Sequence, residues 1–266
     1  MMIIGERINS TRANIQDAIK KRNAAAILKE AGSQADAGAD FIDINCAVTS
    51  GDESQDMDWV ISVIQSSAIK ETNISVDSPN YLAIARALEV HKGAGNMIVN
   101  SITGEESRIR NILPLALKYN AKLIALAMDE KGMPNTATER FEMVKKILDR
   151  VKKEGIKEDD IYFDPLIRPI STEPNQADEF LKSLPLIKKL GVKTICGLSN
   201  ISFGLPNRSL INSAFLSMAI REGLDAAILD PLDKRVMSSV YASRALNAAD
   251  PYCAGYIKAF REGQLI

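Results

Sequence analysis

Eight short apolar runs, each rich in β-branched residues and each followed by a helical pattern, constrain the fold of this chain more than any other feature. The runs are MIIGERI (2–8), FIDIN (41–45), NISVDS (73–78), NMIVNSI (96–102), KLIALAM (122–128), IYFDPL (161–166), KTICGLS (193–199) and AAILDP (226–231). Most are continuously apolar rather than alternating, the pattern of strands covered on both faces of a parallel sheet. Amphipathic stretches follow them: 15–22 and 24–39 after the first run, then 58–70, 82–90, 109–119, 139–153, 177–190, 210–223 and 234–246. Thr103 with Glu106, and Thr136 with Glu139, have the spacing of capping boxes. Pro114 and Pro185 fall inside helical patterns and predict kinks or breaks. Eight β–α units in 266 residues predict an α/β fold of one domain over 1–266, a closed (β/α)8 TIM barrel. An open doubly wound sheet is the competing architecture.

Composition narrows the partners. Hydrophobic residues make up 46% and charged residues 25%, enough for a core of ordinary size. The net charge is −1 with both signs spread along the chain, so nucleic-acid binding lacks its main driving force. No apolar run approaches the ~18 residues of a membrane span. The start, MMIIGERIN, has too short an apolar stretch and no positive leader for a secretion signal. The cytoplasm is therefore the expected compartment. Cys46, Cys196 and Cys253 are distant and odd in number, which predicts no disulfide or metal framework. Cys46 and Cys196, within or beside strands, read as small buried hydrophobes. The lone histidine, His91 in EVHKGAG, reads as a helix-end surface residue. It rules out a multi-histidine metal site and a histidine triad within one chain.

Polar residues stand where the strands finish. The first run carries Glu6, Arg7 and Asn9, the second Asp43 and Asn45, and the third ends in Asp77-Ser78. The fourth ends in Asn100-Ser101, the sixth in Asp164-Pro165 and the seventh in Ser199-Asn200. In a barrel these ends converge on one mouth, where polar side chains contact ligands. Some such residues serve only to cap helices or form turns. A ring of carboxylates and amides suits a neutral heterocycle with donors and acceptors along one edge, such as a pterin. One carboxylate accepts from two of its N–H groups, and an amide both donates and accepts. Asp43, Asp77 and Asp164 could hold Mg²⁺, but no phosphate-cradling glycine loop accompanies them, so no metal is expected.

In these residues the chain resembles the methyltetrahydrofolate:corrinoid protein methyltransferases, a pterin-binding family. The stretches that carry the resemblance are IIGERIN (3–9), GADFIDIN (38–45), SVDSPN (75–80), VNSIT (99–103), YFDPL (162–166), GLSNIS (197–202), NRSLINSAFLSMA (207–219) and DAAILDP (225–231), in order along nearly the whole chain. The resemblance implies that Asp77, Asn100 and Asp164 hold the pterin ring and that Asn200 hydrogen-bonds N5 as the catalytic residue. It implies that Asp43, Asn45, Gly197 and Ser199 line the pocket. Ile228 and Met128 are expected to pack on the folate, and Arg208 to lie where the tail or a partner approaches. The implied substrate is methyltetrahydrofolate or tetrahydrofolate, and the implied partner a separate corrinoid (cobalamin) protein. That partner is either an iron–sulfur corrinoid protein or a small demethylation-type one.

A homodimer is also implied. Helix 210–223 carries Leu210, Ile211, Phe215, Leu216, Met218 and Ile220, which exceed a single stripe, although barrel packing explains it comparably. The nearest competing enzyme is dihydropteroate synthase. The stretch DINCAVTSGDES (43–54) lacks the Arg-Pro of that enzyme's second loop, and its late lysine has no clear counterpart after KTICGLSN. A folate-binding subunit without catalysis is the third reading.

Overall fold

A computed structural model of the chain describes residues 1–49, 51–67, 69, 72–91 and 97–266. Eight parallel strands close into a barrel in chain order. They are β1 (Met2–Asn9), β2 (Phe41–Asn45), β3 (Asn73–Asp77), β4 (Met97–Ile102), β5 (Lys122–Leu126), β6 (Ile161–Asp164), β7 (Lys193–Gly197) and β8 (Ala226–Leu229). Ile4 faces Phe41 on one side and Ile228 on the other, which seals the ring between β8 and β1. The helices outside are α1 (Ala13–Lys20), α2 (Ala24–Asp36), α3 (Glu53–Gln65), α4 (Tyr81–Val90), α5 (Glu106–Lys118), α6 (Ala137–Lys152), α7 (Gln176–Lys188), α8 (Arg208–Arg221), α9 (Lys234–Leu246) and α10 (Ala254–Arg261). The closed ring decides against the open sheet.

Two apolar layers result from strands buried on both sides. The inner one plugs the barrel with Ile4, Phe41, Ile98, Ile124, Tyr162, Ile195 and Ala226. The outer one packs helices on the sheet, with Ile42, Ile44, Ile74, Val76 and Val99 meeting residues such as Val60, Ile84 and Ile112. Cys46 and Cys196 are buried as expected, and burial pushes both thiols upward, away from reactivity.

Several local expectations change. Strands β3, β5, β6, β7 and β8 stop one or two residues earlier than their apolar runs. Thr136 and Glu139 form the expected capping box. Thr103 does not cap α5: its Oγ1 accepts from the Glu105 N–H at 3.2 Å in a local turn, and α5 starts behind Glu105. Neither proline breaks its helix; Pro114 lies within α5 and Pro185 within α7. Half-buried His91 ends α4; the first residue of the 96–102 run and the end of the 58–70 helix lie outside the described residues. No helix among the described residues is long and apolar enough to cross a membrane.

Candidate active site at the barrel mouth

Side chains of a strand alternate between its two faces, so the inner layer fixes what stands at the mouth. Two residues beyond inward Ile4 is Glu6; beyond Phe41 come Asp43 and then Asn45. The same step leads from Ile98 to Asn100, from Tyr162 to Asp164, from Ile195 to Gly197 and from Ala226 to Ile228. On β3 the inward pair is Ser75 and Asp77, which lie opposite Asp43 and Asn45. An apolar floor therefore gives way to a polar rim at the C-terminal ends of the strands, where barrel enzymes place their chemistry.

Hydrogen bonds join this rim across the chain. Ser75 Oγ donates to Asp43 Oδ1 at 2.6 Å, and the Asn100 amide donates to the same oxygen at 3.4 Å. The Asn45 amide donates to Asp77 at 2.9 Å. Ser199 Oγ donates to Glu6 at 2.6 Å, over a separation of 193 residues. Asp164 accepts from the backbone N–H of Leu166 at 2.7 Å, and the Gly197 N–H also bonds to it. Asp43, Asn45, Asp77, Asn100, Asp164, Gly197 and Ser199 are thus brought together.

The remaining expected residues surround that ring. Asn200 ends a 3-10 turn, Leu198–Asn200, just beyond β7, and is exposed. Its amide has no hydrogen-bond partner among the described residues. A Cβ at position 197 would stand 3.2 Å from that amide nitrogen, so glycine leaves it room. Arg208, at the start of α8, folds back on the turn: Nη2 donates to the Ser199 carbonyl and Nε to Ser202 Oγ at 3.0 Å. Ile228 packs on the inner layer from above. Met128 is half-buried two residues past β5, where its carbonyl accepts from the Gly104 N–H at 2.7 Å. That bond ties the turn after β5 to the loop after β4.

Electrostatics set the site apart. Burial drives the Asp164 carboxyl up to about 7, against the pull of two backbone N–H groups and of Arg140. Burial also raises Asp43, and the neighbouring Asp77 charge raises it further. Asp77 itself is raised by burial, with the Asn45 amide opposing. Glu6 belongs to the same group: burial raises its carboxyl, Ser199 opposes, and Asp230 raises it again. Sequence reasoning placed Glu6 at a strand end but not among the site residues. The signal that could find it is the two-residue step from Ile4, which lines the inner layer, to Glu6.

Such a ring of buried acids, each raised by its burial, fits a ligand that brings its own N–H donors. The pterin-binding enzyme family matches this chain over residues 5–230, which includes every residue of the ring. The chain belongs to the pterin-binding enzymes. Among curated relatives of this pterin-binding chain, the methylcorrinoid:tetrahydrofolate methyltransferase of Eubacterium limosum is 33% identical over the whole chain and 98% of that protein. Methionine synthase of Mycobacterium tuberculosis is 30% identical over 86% of the chain, which spans only 20% of that larger enzyme. Solved structures of Xanthomonas albilineans dihydropteroate synthase, one holding 4-aminobenzoic acid and one 7,8-dihydropteroate, share the fold. They have TM-scores of 0.70 and 0.69 at 18% and 17% identity, and each alignment covers at least 93% of both chains.

Proposed function

We propose that this enzyme transfers a methyl group between N5 of methyltetrahydrofolate and the cobalt of a corrinoid held by a separate protein. Full-length similarity to a methylcorrinoid:tetrahydrofolate methyltransferase carries this reading. The rim supports it: carboxylates of Asp77 and Asp164 accept from the amino and ring N–H groups of a pterin, while Asn100 and Asn45 complete the edge. Asp43 and Ser75 buttress Asn100 from below. Ile228 and Met128 supply apolar contact, and Gly197 and Ser199 shape the wall beside N5. The dihydropteroate synthase reading rests on a shared fold alone, and the fold does not fix the reaction.

The methylated N5 is a tertiary amine, and an amine anion leaves poorly. As the C–N bond breaks, its electron pair stays on N5, which takes a proton from solvent through the open mouth, with a hydrogen bond at N5 easing the change. The amide of Asn200, presented without a protein partner, rotates either to accept from a protonated N5 or to donate to its lone pair. Cobalt(I) in the partner's corrinoid supplies the nucleophile, so this chain needs none of its own. Its work is to orient the methyl group outward and to stabilise charge at N5. The open, exposed position of Asn200 leaves the mouth accessible to a protein-bound corrinoid. A homodimer is part of the proposal: Leu210 and Met218 on α8 are 50% and 55% exposed, while Phe215 and Leu216 of the same helix are buried in the barrel wall.

The reading is tested by mixing the purified protein with methyltetrahydrofolate and chemically reduced cob(I)alamin. Co(I) absorbance is expected to fall as methylcobalamin and tetrahydrofolate appear in equal amounts. Tight folate binding with no loss of Co(I) in the presence of any corrinoid protein offered leaves a folate-presenting subunit instead.

A further inference from the structure

Asp77 stands among like charges. Asp43 on β2 and Glu53 on α3 both face it, and its hydrogen bond from Asn45 carries no charge. Among the described residues, the one cation acting on it is Arg108, in the first turn of α5. Arg108 makes no ion pair with any described carboxylate. Its guanidinium instead spreads over three backbone carbonyls: Nη1 on Pro79, and Nη2 on Ser101 and on Ser78 at 3.3 Å. Those carbonyls follow directly on Asp77 and Asn100. The two strand ends are also tied to each other, because the Ser78 N–H donates to the Asn100 carbonyl at 3.1 Å. Ser78 Oγ in turn donates to Glu53 at 2.6 Å.

A half-buried guanidinium with only neutral acceptors loses hydration without gaining a paired charge. Burial indeed opposes its charge, and Glu105 and Asp77 compensate. The fork geometry explains how it holds two loops at once, which a point charge would do less well. We propose that Arg108 is a positioning residue for pterin recognition: without touching the ligand, it locks the strand ends that carry Asp77 and Asn100 and supplies the cation that Asp77 otherwise lacks. This deepens the pterin-site reading and rests on it.

The test is the pH dependence of methyltetrahydrofolate binding in Arg108→Met, Arg108→Lys, Asp77→Asn and the Arg108→Met/Asp77→Asn double variant. Removing the cation removes a pull that lowers Asp77, so the acid limb of binding moves to higher pH in Arg108→Met. Affinity at neutral pH falls about tenfold, the scale of one lost polar contact. Arg108→Lys keeps the charge and loses the fork, so its limb stays in place while affinity drops. In the Asp77→Asn background the methionine variant shifts nothing further, because position 77 no longer titrates. Parent-like affinity and limb in Arg108→Met overturn the inference, as does a limb shift that survives in the double variant. If Arg108→Met does not fold, Arg108→Lys decides: a displaced limb there refutes the electrostatic role. Should Asp77→Asn bind methyltetrahydrofolate as the parent does, the pterin-site reading itself fails, and the two failures are thereby distinguished.

Discussion

Replacing Asn200 by alanine is expected to slow methyl transfer by about 10²–10³-fold, the scale of removing one donor aimed at developing charge, with folate affinity nearly unchanged. The reasoning lies in where the amide stands. In the proposed mode of binding, the pterin edge meets the acids and amides set deeper in the barrel, on β2, β3, β4 and β6. Asn200 sits beyond them on an exposed turn with its amide unengaged, and the turn is held from behind by Arg208. An interaction that strengthens only as the C–N bond breaks lowers the barrier without adding to ground-state binding. Single-turnover loss of Co(I) absorbance, set beside equilibrium binding of methyltetrahydrofolate, separates the two quantities. Equal losses in rate and affinity would make Asn200 a binding residue and return the chemistry at N5 to another group.

Asp164→Asn should have the opposite profile and a second, unusual consequence. Its carboxyl is buried and titrates near 7 in the folded protein, far above the ordinary value of 3.8. In the proposed mode of binding it accepts, as a carboxylate, from the pterin edge; as an amide it would accept less well and bring unwanted donors. Affinity is expected to fall roughly 10–100-fold, the range for loss of a charge-assisted contact. In the parent, binding should weaken as pH falls through about 7 and the site gains a proton. Stability moves the other way. Between the unfolded value and about 7, the folded state holds a proton that the unfolded state has released, so stability declines as pH rises through that window. Above it the full cost is present, and Asp164→Asn removes it. The variant should be more stable than the parent by ~2 kcal/mol at pH 8 and no more stable near pH 3. Urea titrations at the two pH values, read beside calorimetric folate binding, check both halves. A variant destabilised at pH 8 would contradict the cost assigned to this carboxyl.

Much of this architecture is legible in the chain because barrel strands are apolar on both faces and stop abruptly at polar residues. The step from Tyr162 to Asp164, or from Ile98 to Asn100, marks the passage from floor to rim. Glu6 is legible as a strand-end residue but not as a member of the site, because the pairing of β1 with β2 shifts register between Gly5 and Ile8 and the apolar run alone does not settle which of Glu6 and Arg7 points inward. Arg7 in fact turns away to Glu30 and Asp230. Strand ends were placed late where apolar runs continue into turns, as at Leu198, which is buried in a 3-10 turn after β7. The capping role assigned to Thr103 failed because spacing alone does not fix which residue leaves the helix first. The breadth of apolar residues on α8 is real, yet Asn212 and Ser213 share its buried face, so hydrophobicity did not map directly onto contact with the barrel. Arg108 carries no sequence signal, since the carbonyls it bonds lie on β4 and in the turn after β3, outside its own helix.

A crystal structure with methyltetrahydrofolate bound tests the assembly of the site most directly. The pterin should lie at the open end of the barrel, its amino edge on Asp77, Asn100 and Asp164, with N5 within hydrogen-bonding reach of Asn200 and the methyl group facing solvent. Ligand seated anywhere else, or a methyl group turned down toward Ile4 and Ile98, would contradict the mechanism.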